Sequence, residues 1–356
     1  MTRVLVTGGA GFVGSNFCKS YKERNPSWDV VAFDNLRRRG SEINLPDFAK
    51  RGIKFVHGDI RHLSDLHDIG GRFDLMIEAS AEPSVHAGIG GGTDYLFDTN
   101  LSGTRNALEY ARASCDSVVF LSTSRVYSIE PLRNLPFQET ATRLNYVAPH
   151  PVQGVSALGI REDFETSKPR SFYGASKLAS EMLIQEYVFH HKIKAIVNRC
   201  GVIAGPGQFG KVDQGVFTLW VARHLWNGTL SYTGFGGKGL QVRDLLHPRD
   251  LFDLVDLQVS QLPKHSGQVF NVGGGANDGS VSLLELTRLC EEATGNCLSI
   301  RGVPETNPVD IPWYISDFSR AQAAFGWSPK IKVSKIIREI SEWLRTNESS
   351  LKPLFS

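Results

Sequence analysis

Short apolar runs alternate with longer amphipathic stretches from the N-terminus to about residue 200. The runs are rich in Val, Ile, Leu and Phe, a pattern typical of strands that are buried in a parallel sheet. A helix is predicted between the first two runs, over Ser15 to Glu23. The alternation predicts an α/β fold, a doubly wound parallel sheet with helices on both faces. The predicted strands are 3–7, 30–33, 53–56, 75–77, 118–121, 195–197 and 269–272.

The local amino-acid composition changes near Arg199. Glycines and prolines cluster over 201–210 and 234–239, as expected where a chain leaves a sheet for irregular structure. Two amphipathic helices are predicted further on, because apolar residues recur at three- and four-residue spacing. These helices are 283–293 and 333–346; the predicted domains are 1–198 with 268–275 returning to its sheet, and a smaller, mixed α/β domain over 199–267 and 276–356.

Composition narrows the class of protein. The chain has 356 residues, of which 41% are hydrophobic and 21% charged, and this excludes a disordered chain. The net charge of +2 gives no bulk attraction for nucleic acid or for an anionic membrane, so neither is an expected partner. We predict a soluble, cytoplasmic protein, since the chain has no apolar run of about 18 residues and no signal-peptide pattern.

The five cysteines are scattered along the chain and include no CxxC pair. They therefore predict neither a disulfide framework nor a metal site, and they fit a reducing compartment. We expect Cys18, Cys115 and Cys200 to be small buried apolar side chains rather than reactive thiols.

A glycine-rich turn follows the first predicted strand. Residues 7–14, TGGAGFVG, contain the G-x-G-x-x-G spacing at Gly9, Gly11 and Gly14. Between a strand and a helix, this spacing allows close backbone approach to a pyrophosphate at the helix N-terminus. A loop that only needs positive φ values is the alternative. Asp34 lies 20 residues after Gly14, where a carboxylate binds an adenosine ribose, and this favours NAD over NADP.

Other polar residues near the second and third predicted strands leave alternatives open. Arg37, Arg38 and Arg39 stand where a guanidinium can accommodate a 2′-phosphate, although a solvated turn is the favoured interpretation. Asp59 follows the third strand, from which it can reach an adenine edge or cap a helix.

A tyrosine and a lysine four residues apart, Tyr173 and Lys177, lie on one face of a predicted helix. At this spacing the ammonium lowers the pKa of the phenol and makes it an available base. The same spacing is common on ordinary amphipathic helices, so the glycine turn is what favours catalysis. Thr123 or Ser124, after a strand that ends beside the cofactor crevice, can bind a sugar hydroxyl or simply form a turn.

Together these motifs resemble the extended short-chain dehydrogenase/reductases that act on nucleotide sugars, and the resemblance covers nearly the whole chain. It implies a Rossmann-type NAD-binding domain followed by a nucleotide-sugar-binding domain. Within the family the chain is most similar to the CDP-paratose 2-epimerase subgroup. The segments that carry the subgroup resemblance are 33–36, 55–61, 142–143, 213–215, 239–244 and 327–330.

The resemblance assigns roles residue by residue. It implies that Thr123 is the catalytic hydroxyl, Tyr173 the base and Lys177 its activator. Arg243 would contact the substrate diphosphate, although a surface ion pair with Asp244 or Asp250 is the alternative. The implied cofactor contacts are Gly8, Gly11, Phe12, Val13, Gly14, Asp34, Asn35, Asp59, Ile60, Ala79, Ser80, Ala81, Asn100, Ser122, Tyr173 and Lys177. The implied substrate contacts are Thr123, Ser124, Arg125, Asn198, Gln208, Gln214, Gln241, Arg243 and Asp310.

The sequence also departs from relatives in this family. Dehydratases carry an Asp-Glu pair after the catalytic threonine, where this chain has Ser124-Arg125, so dehydration is not expected. Asn307 stands where many relatives place a phosphate-binding arginine, for which Arg301 is a candidate substitute. The stretch 140–170 is longer than in the 2-epimerases and leaves the substrate's identity open.

Three hypotheses follow from the residues and the resemblance. The first is an NAD-dependent epimerase that transiently oxidises a nucleotide-linked sugar, preferentially at C2 of a CDP-3,6-dideoxyhexose. The second keeps the fold and changes the substrate, as in UDP-sugar 4-epimerisation or another nucleotide-sugar oxidoreduction. The third is a non-catalytic NAD-binding protein, which would not need the Tyr-Lys pair. The resemblance also implies a homodimer formed through the Tyr-Lys helix and the helix after Asn100.

Overall fold

A computed structural model describes residues 2–147, 151–209 and 215–355. None of the helices in these ranges is both long and apolar enough to cross a membrane. The helices are α1 Phe12–Arg24, α2 Leu45–Arg51, α3 Leu63–His67, α4 Asp94–Phe97, α5 Gly103–Ser114, α6 Ile129–Arg133, α7 Phe172–His191, α8 Val216–Leu225, α9 Pro248–Ser260, α10 Leu262–His265, α11 Leu283–Thr294, α12 Ser319–Phe325, α13 Val333–Thr346 and α14 Glu348–Leu351.

The strands are more numerous than the sequence pattern predicts, and several of the predicted ones are longer. The seven predicted strands are all present, and the additional ones lie between Phe137 and Ile160 and after residue 200. The strands are β1 Arg3–Thr7, β2 Asp29–Asp34, β3 Lys54–His57, β4 Leu75–Glu78, β5 Ser117–Thr123, β6 Phe137–Glu139, β7 Leu144–Tyr146, β8 Val155–Ser156, β9 Gly159–Ile160, β10 Lys194–Cys200, β11 Val202–Ile203, β12 Ser231–Thr233, β13 Val242–Leu246, β14 Val269–Val272, β15 Ser280–Ser282, β16 Arg301–Val303 and β17 Trp313–Tyr314.

Seven strands form one sheet in the order β14-β10-β5-β4-β1-β2-β3. β1 pairs in parallel with β2 and β4, and β2–β3 and β4–β5 are parallel as well. β1 is buried from Val4 to Thr7, as expected for a strand that is covered on both faces. These features confirm the predicted doubly wound sheet. The strand order reverses between β1 and β4, and in such sheets ligands bind beyond the carboxyl ends at that point.

Helices α5 and α7 cover one face of this sheet. Ala107, Ala111 and Ile184 of these helices join a buried cluster that includes Met76 and Phe120 of the sheet. α5 is preceded by a π-turn over Asp98–Ser102, which is continuous with α4. π-turns of this kind are frequent at functional sites.

The chain divides into two compact units, each built from separate segments. The first consists of 1–126, 172–199 and 251–270, and the second of 127–171, 200–250 and 271–356. This division differs from the predicted domain boundaries at residue 199 and in the segments 127–171, 251–267 and 271–275.

Segment 127–171 belongs to the second unit because its side chains bond there. Arg143 donates to both carboxylate oxygens of Glu285, at 2.6–3.1 Å, and to Ser280. Segment 251–270 belongs to the first unit because Phe252 of α9 packs edge-on against Phe17 and Tyr21 of α1. Such long-range pairings leave no local trace in the pattern of apolar residues.

β13 is the central strand of the second unit and pairs with β11, β15 and β17. Helices α8, α11 and α13 pack over the core of this unit. α11 begins with a capping box in which Ser282 and Glu285 bond to each other's backbone N–H, and this fixes its N-terminus. α13 buries the apolar stripe that predicted it, at Val333, Ile336, Ile337, Ile340 and Leu344.

Candidate active site

The glycine turn joins β1 to α1 with little space around its backbone. Gly8 adopts φ 62°, and a Cβ there would lie 2.8 Å from the Ala79 carbonyl oxygen. A Cβ at Gly14 would lie 2.1 Å from the Gly8 carbonyl oxygen, so only glycine fits. The turn is held to β2 because Gly9 N–H donates to Phe33 O at 3.0 Å. The N–H groups of the first turn of α1 need a partner outside the helix, and a pyrophosphate can supply it. Phe12 and Val13 form the first turn of that helix.

Asp34 ends β2 beside the same turn. Its Oδ2 accepts the Ala10 N–H at 3.1 Å and its Oδ1 accepts the Leu36 N–H at 2.8 Å. Burial raises the pKa of Asp34, and these hydrogen bonds oppose that rise. Since each carboxylate oxygen has two lone pairs, both retain room for a ribose hydroxyl. The position and chemistry therefore fit the adenosine ribose of NAD.

A polar cluster at the ends of β2 and β3 surrounds Asp59. Asn35 Nδ2 and Arg61 Nη2 both donate to Asp59 Oδ2, at 2.9 and 2.7 Å. Although burial opposes the change, these bonds lower the pKa of Asp59 and keep it ionised. Asp59 does not cap α3, whose N-cap is His62.

The arginines after Asp34 are more exposed than the carboxylate. The Arg37 guanidinium lies 3.9 Å from the ring centroid of Tyr95, whose ring is also 5.0 Å from the guanidinium of Arg61. Arg37 and Arg39 are exposed, and Arg38 is half-buried. Arg37 therefore packs on an aromatic ring in a turn at the surface.

The loop after β4, Ala79–Ala81, runs alongside the glycine turn, close to Gly8. Asn100 lies in the π-turn, fully buried, and fixes the next residue of this loop. Its Oδ1 accepts the Glu82 N–H at 2.8 Å, and its Nδ2 donates to Glu82 O and to Ser176 Oγ. Asn100 therefore joins the β4 loop to α7.

Tyr173 and Lys177 lie on the buried face of α7, with 9% and 1% of their surfaces exposed. The ammonium nitrogen of Lys177 is 4.0 Å from the centroid of the Phe120 ring and 4.0 Å from Glu78 Oε2. The helix is anchored by Ser180, which donates to the Asn100 carbonyl at 2.9 Å. The predicted pair is thus held in a nearly dry interior.

Thr123 ends β5 and is 7% exposed. Its Oγ1 accepts the N–H of Arg125 at 3.2 Å, within the turn that also contains Ser124. The neighbouring Ser122 points to α7, where its hydroxyl donates to Glu181 Oε1 at 2.5 Å. Arg199 also donates to that carboxylate, from Nε to Oε1 and from Nη2 to Oε2. Ser122 therefore belongs to a buried hydrogen-bond network.

The predicted substrate residues of the second unit lie partly together. Arg243 Nη2 donates to Asp310 Oδ1 at 2.9 Å and to Ile311 O at 2.6 Å. The carboxylate that pairs with Arg243 is Asp310, which was not among the ion-pair partners, Asp244 and Asp250, that the sequence offered. The reason is β13: its pleat directs Asp244 to the opposite side, where it accepts the Ser316 N–H.

Two predicted substrate residues use their side-chain amides for hydrogen bonds within the protein. Asn198 is fully buried and exchanges two 2.8 Å hydrogen bonds with Gln258. Gln208 donates to Ile203 O and accepts the Thr218 hydroxyl.

The remaining predicted substrate residues differ in their exposure and in their hydrogen bonds. Gln241 donates to Thr233 O, while its buried Oε1 has no hydrogen-bond partner among the described residues. Arg301 is exposed at the start of β16. Gln214 lies outside the described residues.

Three features of these units were not predicted from sequence. One is the π-turn at Asn100, and another is Glu78, which reads only as the polar end of a strand. The third is Arg133, whose Nε and Nη2 donate to the carbonyls of Asp310 and Asn307 at 2.8 and 2.7 Å. Arg133 thereby fixes the loop that carries Asp310, although no motif marks it.

The first unit therefore combines a backbone cradle for a pyrophosphate, an acidic ribose site, and a buried tyrosine with a lysine one turn away. A phenol in such a setting can take a proton from a hydroxyl as a hydride leaves the same carbon. Such an arrangement can support a dinucleotide-dependent oxidation of an alcohol.

Comparison with known proteins agrees with this chemistry. A family described as "NAD dependent epimerase/dehydratase family" matches residues 4–273. The chain is 29% identical to CDP-paratose 2-epimerase of Salmonella typhi over 96% of its length and 98% of the relative's. It is 26% identical to dTDP-glucose 4,6-dehydratase of Streptomyces niveus, covering 99% of this chain and 96% of that one. The fold is that of UDP-glucose 4-epimerase of Thermotoga maritima, with a TM-score of 0.79, 24% identity, and coverage of 98% and 100%. The chain therefore belongs to the NAD dependent epimerase/dehydratase family, and its cofactor is NAD.

Proposed function

We propose that this protein is an epimerase of a nucleotide-linked sugar that works by transient oxidation, with inversion of C2 in a CDP-linked sugar as the first candidate reaction. The observation that carries the proposal is the burial of Tyr173 and Lys177 on one face of α7. The 29% identity to CDP-paratose 2-epimerase supports the choice of cytosine as the nucleotide base and of C2 as the carbon that is inverted. UDP-sugar 4-epimerisation is the second candidate, on the same residues.

The chain's own groups divide the work. When bound, NAD would supply a reversible acceptor for the hydride, and inversion requires that the hydride leave one face of the sugar carbon and return to the other. Tyr173 removes the hydroxyl proton from the carbon that is oxidised and gives a proton back on reduction. The ammonium of Lys177 stabilises the phenolate. Thr123 orients the reacting oxygen through its hydroxyl. Because the cofactor is regenerated within each turnover, no external oxidant is consumed.

Dehydration is less favoured than epimerisation, although dehydratases are among the relatives. Elimination of water needs a second acid-base pair near the sugar. The two residues after Thr123 are Ser124 and Arg125, neither of which is a carboxylic acid. An arginine is not a proton donor at neutral pH, since its pKa is above about 12.

Arg243 and Asp310 are proposed to bind the nucleotide part of the substrate. The Asp310 carboxylate and the Ile311 carbonyl hold the guanidinium through Nη2, and Nη1 donates to Val242 O. Such bonds fix the orientation of the guanidinium, so that its positive charge is held in place for a substrate diphosphate. Gln241 lies just before β13, and its buried Oε1 is available as an acceptor.

The test is turnover of a panel of CDP-, UDP-, GDP- and dTDP-sugars, with NMR of the inverted carbon. The proposal predicts epimerisation without added NAD, and a loss of kcat of about 10²- to 10⁴-fold in Tyr173→Phe. Tyr187→Phe is the matched control, because Tyr187 lies on the same helix and bonds to Glu109. Stoichiometric oxidation of NAD(P)H, or a dehydrated product, would contradict epimerisation.

We also propose that the protein is a cytoplasmic homodimer. Met182 and Phe189, one heptad apart on α7, are 63% and 69% exposed, so the helix presents an apolar stripe to solvent. A second copy of the same helix covers such a stripe in an isologous interface. Light scattering should give twice the chain mass, and the double change Met182→Glu and Phe189→Glu should give a monomer. A wild-type monomer at high concentration would refute the dimer.

A further inference from the structure

Glu78 is a fully buried carboxylate at the carboxyl end of β4 that the proposed reaction does not use. It lies on the face of the sheet that α7 covers, since it pairs in register with Thr7 of β1 and Phe120 of β5. Its Oε2 is buried and has no hydrogen-bond partner among the described residues. A carboxylate in this position is costly unless an opposite charge faces it.

That opposite charge is the ammonium of Lys177. Glu78 Oε2 and Lys177 Nζ are 4.0 Å apart, and only 2% of each side chain is exposed. This distance is too long for a hydrogen bond, so Glu78 acts on Lys177 through charge. Burial raises the pKa of Glu78, and the charge of Lys177 opposes that rise. The ammonium also lies 4.0 Å from the centroid of the Phe120 ring.

Three other carboxylates near α7 are bonded elsewhere or exposed. Glu181, one turn beyond Lys177, is paired with Arg199 at 2.8 Å. Asp98 of the π-turn is exposed, and Glu82 accepts the Ser84 N–H. Tyr173, one turn before Lys177, is the group on which the ammonium is proposed to act. Glu78 is therefore the carboxylate that faces the ammonium most directly among the described residues.

We propose that Glu78 is a positioning residue for Lys177, and that its buried carboxylate keeps the ammonium protonated beside Tyr173 and so sets the alkaline limit of the proposed reaction. An ammonium that is moved into a dry interior loses its hydration and releases its proton at lower pH. An opposite charge at about 4–6 Å restores the charged form by roughly one to three pH units. Because the two groups are not hydrogen-bonded to each other, the charge of Glu78 stabilises the ammonium of Lys177 without fixing the direction of its N–H groups.

The inference rests on the proposed function for its catalytic consequence, so its first test needs no substrate. In protein with isotopically labelled lysine Cε, NMR follows the titration of Lys177, which is assigned by its loss in Lys177→Met. The variants are Glu78→Gln, which keeps the shape and removes the charge, and Glu78→Asp, which keeps the charge. Asp116→Asn removes a carboxylate just before β5, at the amino end of the sheet, and is the control.

We expect Lys177 to lose its proton at least about one pH unit lower in Glu78→Gln than in wild type. Glu78→Asp should recover most of this shift, and Asp116→Asn should cause none. Where epimerisation is measured, the alkaline limb of the kcat profile should move by the same amount, with KM unchanged. Coincident titration curves for wild type and Glu78→Gln would overturn the inference. If the titration shifts but no nucleotide sugar is turned over, the proposed function fails and the role of Glu78 toward Lys177 stands.

Discussion

The buried ion pair between Glu181 and Arg199 ties α7 to β10, and we predict that breaking it unfolds the first unit readily. Arg199 Nη2 lies 2.8 Å from Glu181 Oε2, and its Nε lies 3.1 and 3.2 Å from the two carboxylate oxygens. The Arg199 and Glu181 side chains are 10% and 2% exposed, and Ser122 adds a fourth bond to the carboxylate. In Glu181→Gln the guanidinium stays buried without its counter-charge. For one-sided loss of a buried pair, the expected cost is about 3–5 kcal/mol.

Urea unfolding followed by circular dichroism measures this cost as a fall in the free energy of unfolding. The double change Glu181→Leu and Arg199→Met should recover most of the loss, because it leaves no unpaired charge. Asp116→Asn is the control: its partner Arg72 is 65% exposed, so the loss should be below about 1 kcal/mol. The reasoning is refuted if Glu181→Gln costs no more than this exposed pair.

Three further outcomes follow from the structure. Gly14→Ala should abolish NAD binding in a calorimetric titration, since its Cβ would meet the Gly8 carbonyl oxygen at 2.1 Å. Asp34→Asn should lower the affinity for NAD relative to NADP by about tenfold or more, because the ribose site loses its charge; an unchanged ratio in the same titrations would contradict the assignment. Burial raises the pKa of Asp244 from 3.8 to about 6, so the folded state holds this proton more tightly than the unfolded chain. The resulting stability is complete below pH 3.8 and is lost as pH rises through about 6, in total roughly 3 kcal/mol. The fall in unfolding free energy between about pH 4 and 7 should therefore be smaller in Asp244→Asn, and equal slopes would contradict it.

Much of the sheet could be predicted from the sequence because its strands are apolar on both faces. β14 has the predicted bounds, Val269–Val272, and α13 has those of its apolar stripe. Strand ends extend beyond the predicted ones where polar residues continue the ladder, as Thr123 does in β5. The glycine turn was predictable as well, since its spacing follows from a steric demand that no other residue meets.

Other features depend on partners that are far apart in the sequence. Arg243 reaches Asp310 rather than the carboxylates nearer in sequence, because the strand pleat decides which side a residue faces. The π-turn at Asn100 depends on bonds to Glu82 and Ser176 that no local pattern encodes. Glu78 ends an apolar strand, and its proposed role follows only from the position of Lys177 in the folded protein.

The separate segments of the first unit also determine when it can be completed during synthesis. Its sheet ends at β14, so β10 has no partner on that side until Val269–Val272 has left the ribosome. For the seventy or so residues between these strands, the nascent chain carries an unpaired apolar edge, which is a template for pairing with other chains. A chain that is cut before Val269 should therefore aggregate through β10 rather than fold as a shorter dinucleotide-binding domain.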